Sequence, residues 1–189
     1  MQAQSPCDLT NHFLMAMPGM ADPNFDGSLI LIAEHSAQGA MGLVVNRPVD
    51  MTLAGLFERI DLQLTDPRLA REAVLFGGPV QCDRGFVLHR PIGAWNASVV
   101  IGEDLAMTSS RDVLEALAAG EGPEQVIVTL GYAGWGAGQL EQELLRNAWM
   151  TVAASSDLVF DVPIAQRLGR AYALLGIDPT LLHGEAGHA

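Results

Sequence analysis

The chain has 189 residues, 49% apolar and 17% charged, enough to bury one sizeable core and short for two, so a single domain is expected. Ten basic residues, all Arg, stand against 22 acidic ones and give a net charge of −12. Such a field repels polyanions and disfavours direct nucleic-acid binding, and the absence of Lys removes Schiff-base lysines and the lysine of a P-loop.

In chain order, FLMAM and SLILIAE read as strands separated by the loop PGMADPNFDG, whose Pro, Gly and Asp break regular structure. GLVVNRPV is a third strand that Asn46-Arg47-Pro48 leaves, since Pro lacks a backbone donor and disfavours helix at the residue before it. In MTLAGLFERIDL the apolar Leu53, Leu56, Phe57 and Ile60 recur at helical spacing, with Thr52 or Asp50 as cap. LTDPRLAREA is a polar connection, and AVLF and GFVLHR are strands with Gly77-Gly78-Pro79 as the corner between them. ASVVIG and DLAMTS continue the β region.

SSRDVLEALAAGEGP carries helix start and stop signals: Ser109 or Ser110 as cap, Asp112 in the first turn, Gly120 and Pro123 beyond the end. QVIVTL is a β-branched strand. It runs into the glycine-rich GYAGWGAG, read as a tight corner, and then a helix to about Asn147. WMTVAA and DLVFDV read as strands, a helix is expected from about Ile164 to Leu175, and a short turn from Pro179 to His183. Early strands, single helices and short turns point to an α+β class with substantial antiparallel pairing.

No apolar run approaches the ~20 residues that span a bilayer. The amino-terminal MQAQSPCDLTNHF lacks the basic and then apolar pattern of a secretory signal. With Cys7 and Cys82 far apart in the chain, the expectation is a cytoplasmic protein with reduced thiols.

The strand, glycine run and helix around GYAGWGAGQLEQEL have the parts of a phosphate loop, but the spacing fails. Ala137 and Gly138 stand where a P-loop needs Lys and Ser or Thr, and Gln139 or Glu141 stands where the third glycine of a dinucleotide loop belongs. The structural reading has Leu140, Leu144, Leu145 and Ala148 facing inward, Glu143 paired outside with Arg146, and Tyr132 and Trp135 packed across the corner.

His12, His35, His89, His183 and His188 share no metal-binding spacing, and the cysteines form no CxxC, so no metal or cofactor is expected. G-x-S-x-G is absent. Cys82 follows a Gly-Pro corner beside Asp83, with no evident base to activate it.

The best polar cluster comprises Glu34, His35, Asn46, Arg47, Arg84 and His89, all at ends of apolar strands, which can converge into the rim of a cleft. There Arg47 and Arg84 would hold a small anion and His35 or His89 would shuttle protons. Alternatively the arginines satisfy carbonyls or pair with Glu34 and Asp83, and His35 caps a turn.

MPGMADPNFDGSLILIAEHSAQGAMGLVVNRP, GGPVQCDRGFVLH, SSRDVL and LGYAGWGAGQLEQELLRNAW together closely resemble the YqgE/AlgH family of bacterial proteins, over about Phe13 to His188. The resemblance implies an α+β domain, here residues 9–189 after a flexible tail 1–8, with a mostly antiparallel, bifurcated or barrel-like sheet flanked by helices. The family is associated with regulation of alginate synthesis and is sometimes labelled a transcriptional regulator, yet it supplies no established catalytic residues. Two expectations follow: a binding or regulatory protein acting indirectly through a small ligand or protein partner, or an enzyme acting on a small anionic substrate near Arg47 and Arg84. A DNA-binding regulator is disfavoured by charge and by the lack of a basic recognition helix.

Overall fold

Continuous apolar runs of strand length dominate the first half of the chain, and in a computed structural model they pair into one large sheet. The structure describes residues 7–178, 180 and 181. Residues 1–6 of the expected tail, Pro179 and His183 of the expected terminal turn, and His188 lie outside the described residues.

The order is β1 (His12–Ala16), β2 (Leu29–Ser36), β3 (Gly39–Val44), β4 (Pro48–Thr52), α1 (Leu53–Arg59), α2 (Pro67–Ala70), β5 (Ala73–Phe76), β6 (Val80–Arg90), β7 (Ser98–Val100), β8 (Ala106–Thr108), α3 (Arg111–Ala118), β9 (Gln125–Gly136), α4 (Gln139–Leu145), β10 (Trp149–Ala153), α5 (Ser156–Asp161) and α6 (Ile164–Leu174). The strands run β10-β1-β2-β3-β9-β6-β8-β7 across the sheet, all antiparallel along this path, with β4 and β5 branching off. No helix among the described residues is long and apolar enough to cross a membrane.

The fork lies on β9. One edge takes β6 along most of its length. The other is shared: Ala133 to Gly136 pair with β3, whereas Thr129 and Leu130 pair in parallel with Leu75 and Phe76 of β5. This is the bifurcated, mostly antiparallel α+β arrangement that the family resemblance implies.

Glycines make the fork sterically possible. Gly77 N–H donates to Leu130 O and Gly77 O accepts from Val44 N–H, both at 2.8 Å, so the corner after β5 is wedged between β3 and β9. A Cβ on Gly77 would lie 2.2 Å from Gly131 O, and one on Gly131, at φ +75°, would lie 2.3 Å from Gly78 O. Backbones meet here at a separation that no side chain permits.

Alternation along the strands separates two cores. Phe13, Leu31, Leu43 and Leu88 pack with Leu158, Val159, Ala171 and Tyr172 of α5 and α6. Leu14, Ile30 and Val44, the opposite-parity neighbours, pack with Trp135, Leu140 and Trp149. A third cluster lies under α1 and α3, around Phe57, Val87, Val113 and Val128. Thr52 caps α1 by accepting from Gly55 N–H, and Gly120 takes φ +77° after α3, both as the letters suggest.

Several expectations change. GYAGWG is not a corner: β9 runs without interruption through Gly136, and the turn is only Ala137-Gly138. Tyr132 and Trp135 therefore do not pack together. They point to opposite faces, Tyr132 against Phe86 and Trp135 against Trp149. Glu143 turns inward, and its Oε2 accepts from both Trp135 Nε1 and Trp149 Nε1 at 2.9 and 2.8 Å, leaving no pair with Arg146. Leu145 is 84% exposed and does not face the core. DLVFDV forms α5, not a strand, because the adjacent Leu158 and Val159 are both buried against one cluster, which strand alternation would have split. Within LTDPRLAREA, Asp66 caps a one-turn helix that begins at Pro67. Ser110 stands at the N-cap of α3 without bonding its backbone and instead donates to Asp112.

Gly131→Ala is expected to cost more than about 3 kcal/mol in urea unfolding, from a backbone clash added to a left-handed φ. Gly138→Ala, at φ +73° with nothing within 4 Å, should cost only about 1 kcal/mol. Equal losses would show that conformation alone, and not the close crossing, demands Gly131.

Candidate functional site

β6 does not follow β9 smoothly. Val80 pairs with Tyr132 and Gly85 with Leu130, so β6 takes five steps while β9 takes two, and Gln81 to Arg84 bulge outward. Gln81 takes φ +48° within the bulge. Bulges re-aim side chains, and this one carries Arg84 over the Phe86 ring, 5.2 Å from guanidinium carbon to ring centroid. The guanidinium's remaining contacts, to Gln81 Oε1 and Ser109 Oγ, are both long at 3.4 Å. The Cys82 thiol is directed at the carbonyls of Pro79 and Gly78.

Arg84 lines a cleft of about 950 Å³ between the outer end of β2 and the β6-β8-β7 side of the sheet. Glu34, His35, Ser36 and Gln38 form one wall. Arg84 and Ser109 stand in the other, and Met41, Phe86, Val99, Met107 and Tyr132 supply apolar surface. Phe86 and Tyr132 meet edge to face, with ring centroids 5.7 Å apart.

The sequence-derived cluster is thus split. Glu34, His35 and Arg84 share the cleft; Asn46, Arg47 and His89 do not line it. Asn46 accepts from Leu29 N–H and donates to Gly27 O. Arg47 donates to Asn24 O and Asp26 O, both at 2.8 Å, and lies over the Phe76 ring. The two residues hold the loop between β1 and β2, the carbonyl-satisfying role weighed as the alternative. Phe25 of that loop packs on Trp135 and Trp149.

His35 borders the cleft with its side chain only 2% exposed, its Nε2 2.7 Å from Glu141 Oε1. Leu9 N–H donates to Nδ1 at 3.0 Å. An acceptor at Nδ1 places the proton of the neutral ring on Nε2, which donates to the carboxylate. The Glu141 carboxyl is held below the usual range by its own backbone N–H and then by His35. Both ring nitrogens are engaged, so His35 ties the segment before β1 and helix α4 to β2 and has no free lone pair for a substrate proton.

His89 is fully buried. Its Nδ1 lies 3.0 Å from Pro91 O and its Nε2 2.7 Å from Thr108 Oγ1, which in turn meets Ser98 Oγ. The carbonyl can only accept, so Nδ1–H donates to it and the Thr108 hydroxyl donates to Nε2. Burial pushes the ring's pKa down. Arg90, a second cation on β6, is neutralised by Asp157 and Asp161 at 2.7 and 2.8 Å. Its guanidinium is therefore committed to holding α5.

Sequence reading missed Met41, Phe86, Met107, Ser109 and Tyr132 as cleft residues. The available signal was the polar run Gln81-Cys82-Asp83-Arg84 inside an otherwise apolar strand, the mark of a bulge.

Because His89 is neutral in the fold and its unfolded counterpart protonates near 6.5, the unfolded state binds the extra proton below that value. Stability should therefore fall as pH drops from 7.5 to 5.5, a window above that of the lowered carboxyls of Asp112, Glu141 and Asp161. His89→Gln should flatten this part of the urea-derived stability profile, and an unchanged slope would assign the dependence to another group.

The sequence profile of the AlgH-like family matches residues 13–180. A UPF0301 protein of Bordetella avium is 59% identical over 182 residues, 96% of this chain and 92% of that protein. One of Cupriavidus pinatubonensis is 55% identical over 188 residues, 100% of this chain and 99% of that protein. The solution structure of the AlgH protein from Pseudomonas aeruginosa, 49% identical, superposes with a TM-score of 0.80 over 100% of both chains. A Corynebacterium diphtheriae protein at 23% identity shares the fold with a TM-score of 0.66, over 90% of this chain and 89% of that one. Match across nearly the whole length, in sequence and in fold, establishes that this chain belongs to the AlgH-like family.

Proposed function

We propose that the protein is a cytoplasmic ligand-binding module that acts indirectly, by taking a small anionic ligand into the cleft between β2 and β6 and presenting the occupied form to a protein partner. The observation that carries this reading is Arg84. Among the described residues Arg90 and Arg111 pair with carboxylates and Arg47 is spent on carbonyls. Arg84, like the exposed Arg59, Arg68, Arg71, Arg146 and Arg170, pairs with no carboxylate among the described residues, but of these it alone lines the cleft. It is placed over an aromatic ring beside a large cleft, where an arriving anion meets little competition.

Binding is favoured over turnover by the state of the other polar groups. His35 has both nitrogens engaged, His89 is buried away from the cleft, and the Cys82 thiol points at carbonyls. Among the described residues the one hydroxyl that donates to an imidazole nitrogen, Thr108 on His89, lies outside the cleft, and no nucleophile and base stand together within it. The acidic charge and the missing lysines likewise favour an indirect regulatory role over contact with DNA.

A thermal-shift screen of anionic metabolites tests the reading. Hits should raise the melting temperature of the native chain and of Arg47→Ala, the latter from a lower baseline because its loop is unpinned, and should lose their effect in Arg84→Ala. Hits that persist unchanged in Arg84→Ala would refute the anchor. In a low-salt mobility-shift assay, specific retardation of a DNA fragment at sub-micromolar protein would refute indirect action.

A further inference from the structure

Resting on the cleft reading above, we infer that the ligand is a monocarboxylate carrying an apolar body, with the carboxylate on Arg84 and the body on the Met41, Val99 and Tyr132 surface. Three features of the cleft select this class. The first is charge. Arg84 is the one arginine lining the cleft among the described residues, and Glu34 lines it too. A single guanidinium neutralises a single negative charge. A phosphomonoester, near −2 at neutral pH, would keep an uncompensated charge against Glu34 and the field of a chain with net charge −12.

The second is donor geometry. The guanidinium carbon lies 5.2 Å from the Phe86 ring centroid, so the ring shields one side of the cation and the N–H groups turned away from it are the donor surface. The guanidinium's two protein contacts, at 3.4 Å, are weak enough to be displaced. A planar carboxylate accepts from such N–H groups through two parallel bonds, and the Ser109 hydroxyl beside them is placed to donate a third.

The third is the surface next to Arg84. The accessible apolar surface of the cleft comes from the partly buried Met41, Val99 and Tyr132 and the exposed Val100, which lie with the buried Phe86 and Met107 along its lining. An ion such as acetate would leave this surface wet, whereas an aliphatic or aromatic body would cover it. The two methionines can adjust to its shape.

The test uses octanoate, octyl phosphate and octanol as probes below their aggregation limits, added to full-length protein with ¹³C-methyl-labelled methionine. Octanoate should shift the Met41 and Met107 methyl signals in a saturable way. Arg84→Gln should weaken it at least tenfold and Arg84→Lys several-fold, while the spectra of both variants keep native dispersion. Octyl phosphate and octanol should bind more weakly than octanoate, and Glu34→Gln should narrow the gap for octyl phosphate. If octyl phosphate binds as tightly as octanoate, or octanol binds equally and ignores Arg84→Gln, the monocarboxylate assignment falls while the cleft stands as a binding site. If no probe moves either methyl signal, the assignment is overturned together with the cleft reading on which it rests.

Discussion

The fold depends on one close backbone crossing. The corner Gly77-Gly78 passes over Gly131 so tightly that a Cβ on any of the three would sit about 2.1 to 2.3 Å from backbone atoms. Because the corner fits there, the edge of β9 can change partner from β5 to β3 within a few residues. The same crossing sends the chain into β6 at Val80, opposite Tyr132, from where it must bulge before it can pair again at Gly85. Fork and bulge therefore share a cause, and the bulge is what carries Arg84 to the cleft.

A second constraint is the satisfaction of buried polar groups around α4. Glu143 sits among aromatic rings, where an unpartnered carboxylate would be costly, and is stabilised by two indole donors and by Gln139. Two residues earlier, Glu141 accepts from His35. The acidic helix is thus tied both to the Trp135 and Trp149 cluster and to the end of β2 that walls the cleft. The side chains that resemble a solvated helical face in the letters anchor the helix to the sheet.

Much of the fold was legible because it rests on local signals. The short apolar runs of β1 to β3 bounded by turn residues, the Thr52 cap, and the stop at Gly120 each depend on a few neighbouring residues. α5 was misread because DLVFDV is too short for period alone to separate helix from strand, and the burial of both Leu158 and Val159 depends on a distant partner. GYAGWG misled for another reason. Glycine density signals a turn when the backbone must bend, but Gly131 is needed because the Gly78 carbonyl crosses it, a contact between segments some fifty residues apart. The site was half legible. The end of β2 did supply Glu34 and His35, whereas Arg84 reaches the cleft from a bulge within β6 and not from a strand end, and sheet order sends Asn46, Arg47 and His89 elsewhere.

The fate of the arginines connects the acidic composition to the cleft. Arg167 is buried and donates to Val45 O and Val162 O, with its pKa lowered by desolvation. Arg47 fastens a loop through carbonyls, and Arg90 gathers the carboxylates of α5. In each case the cation closes an internal contact that backbone and apolar packing leave open, whereas Arg59, Arg68, Arg71, Arg146 and Arg170 are exposed and line no cleft. Arg84 closes no comparable contact. The bulge that exposes it adopts an uncommon positive φ at Gln81, which an L-residue adopts at some cost. The close crossing accounts for the bulge, but not for a cation left over an aromatic ring beside apolar surface with no carboxylate partner among the described residues, an arrangement that an anion in the proposed site would complete.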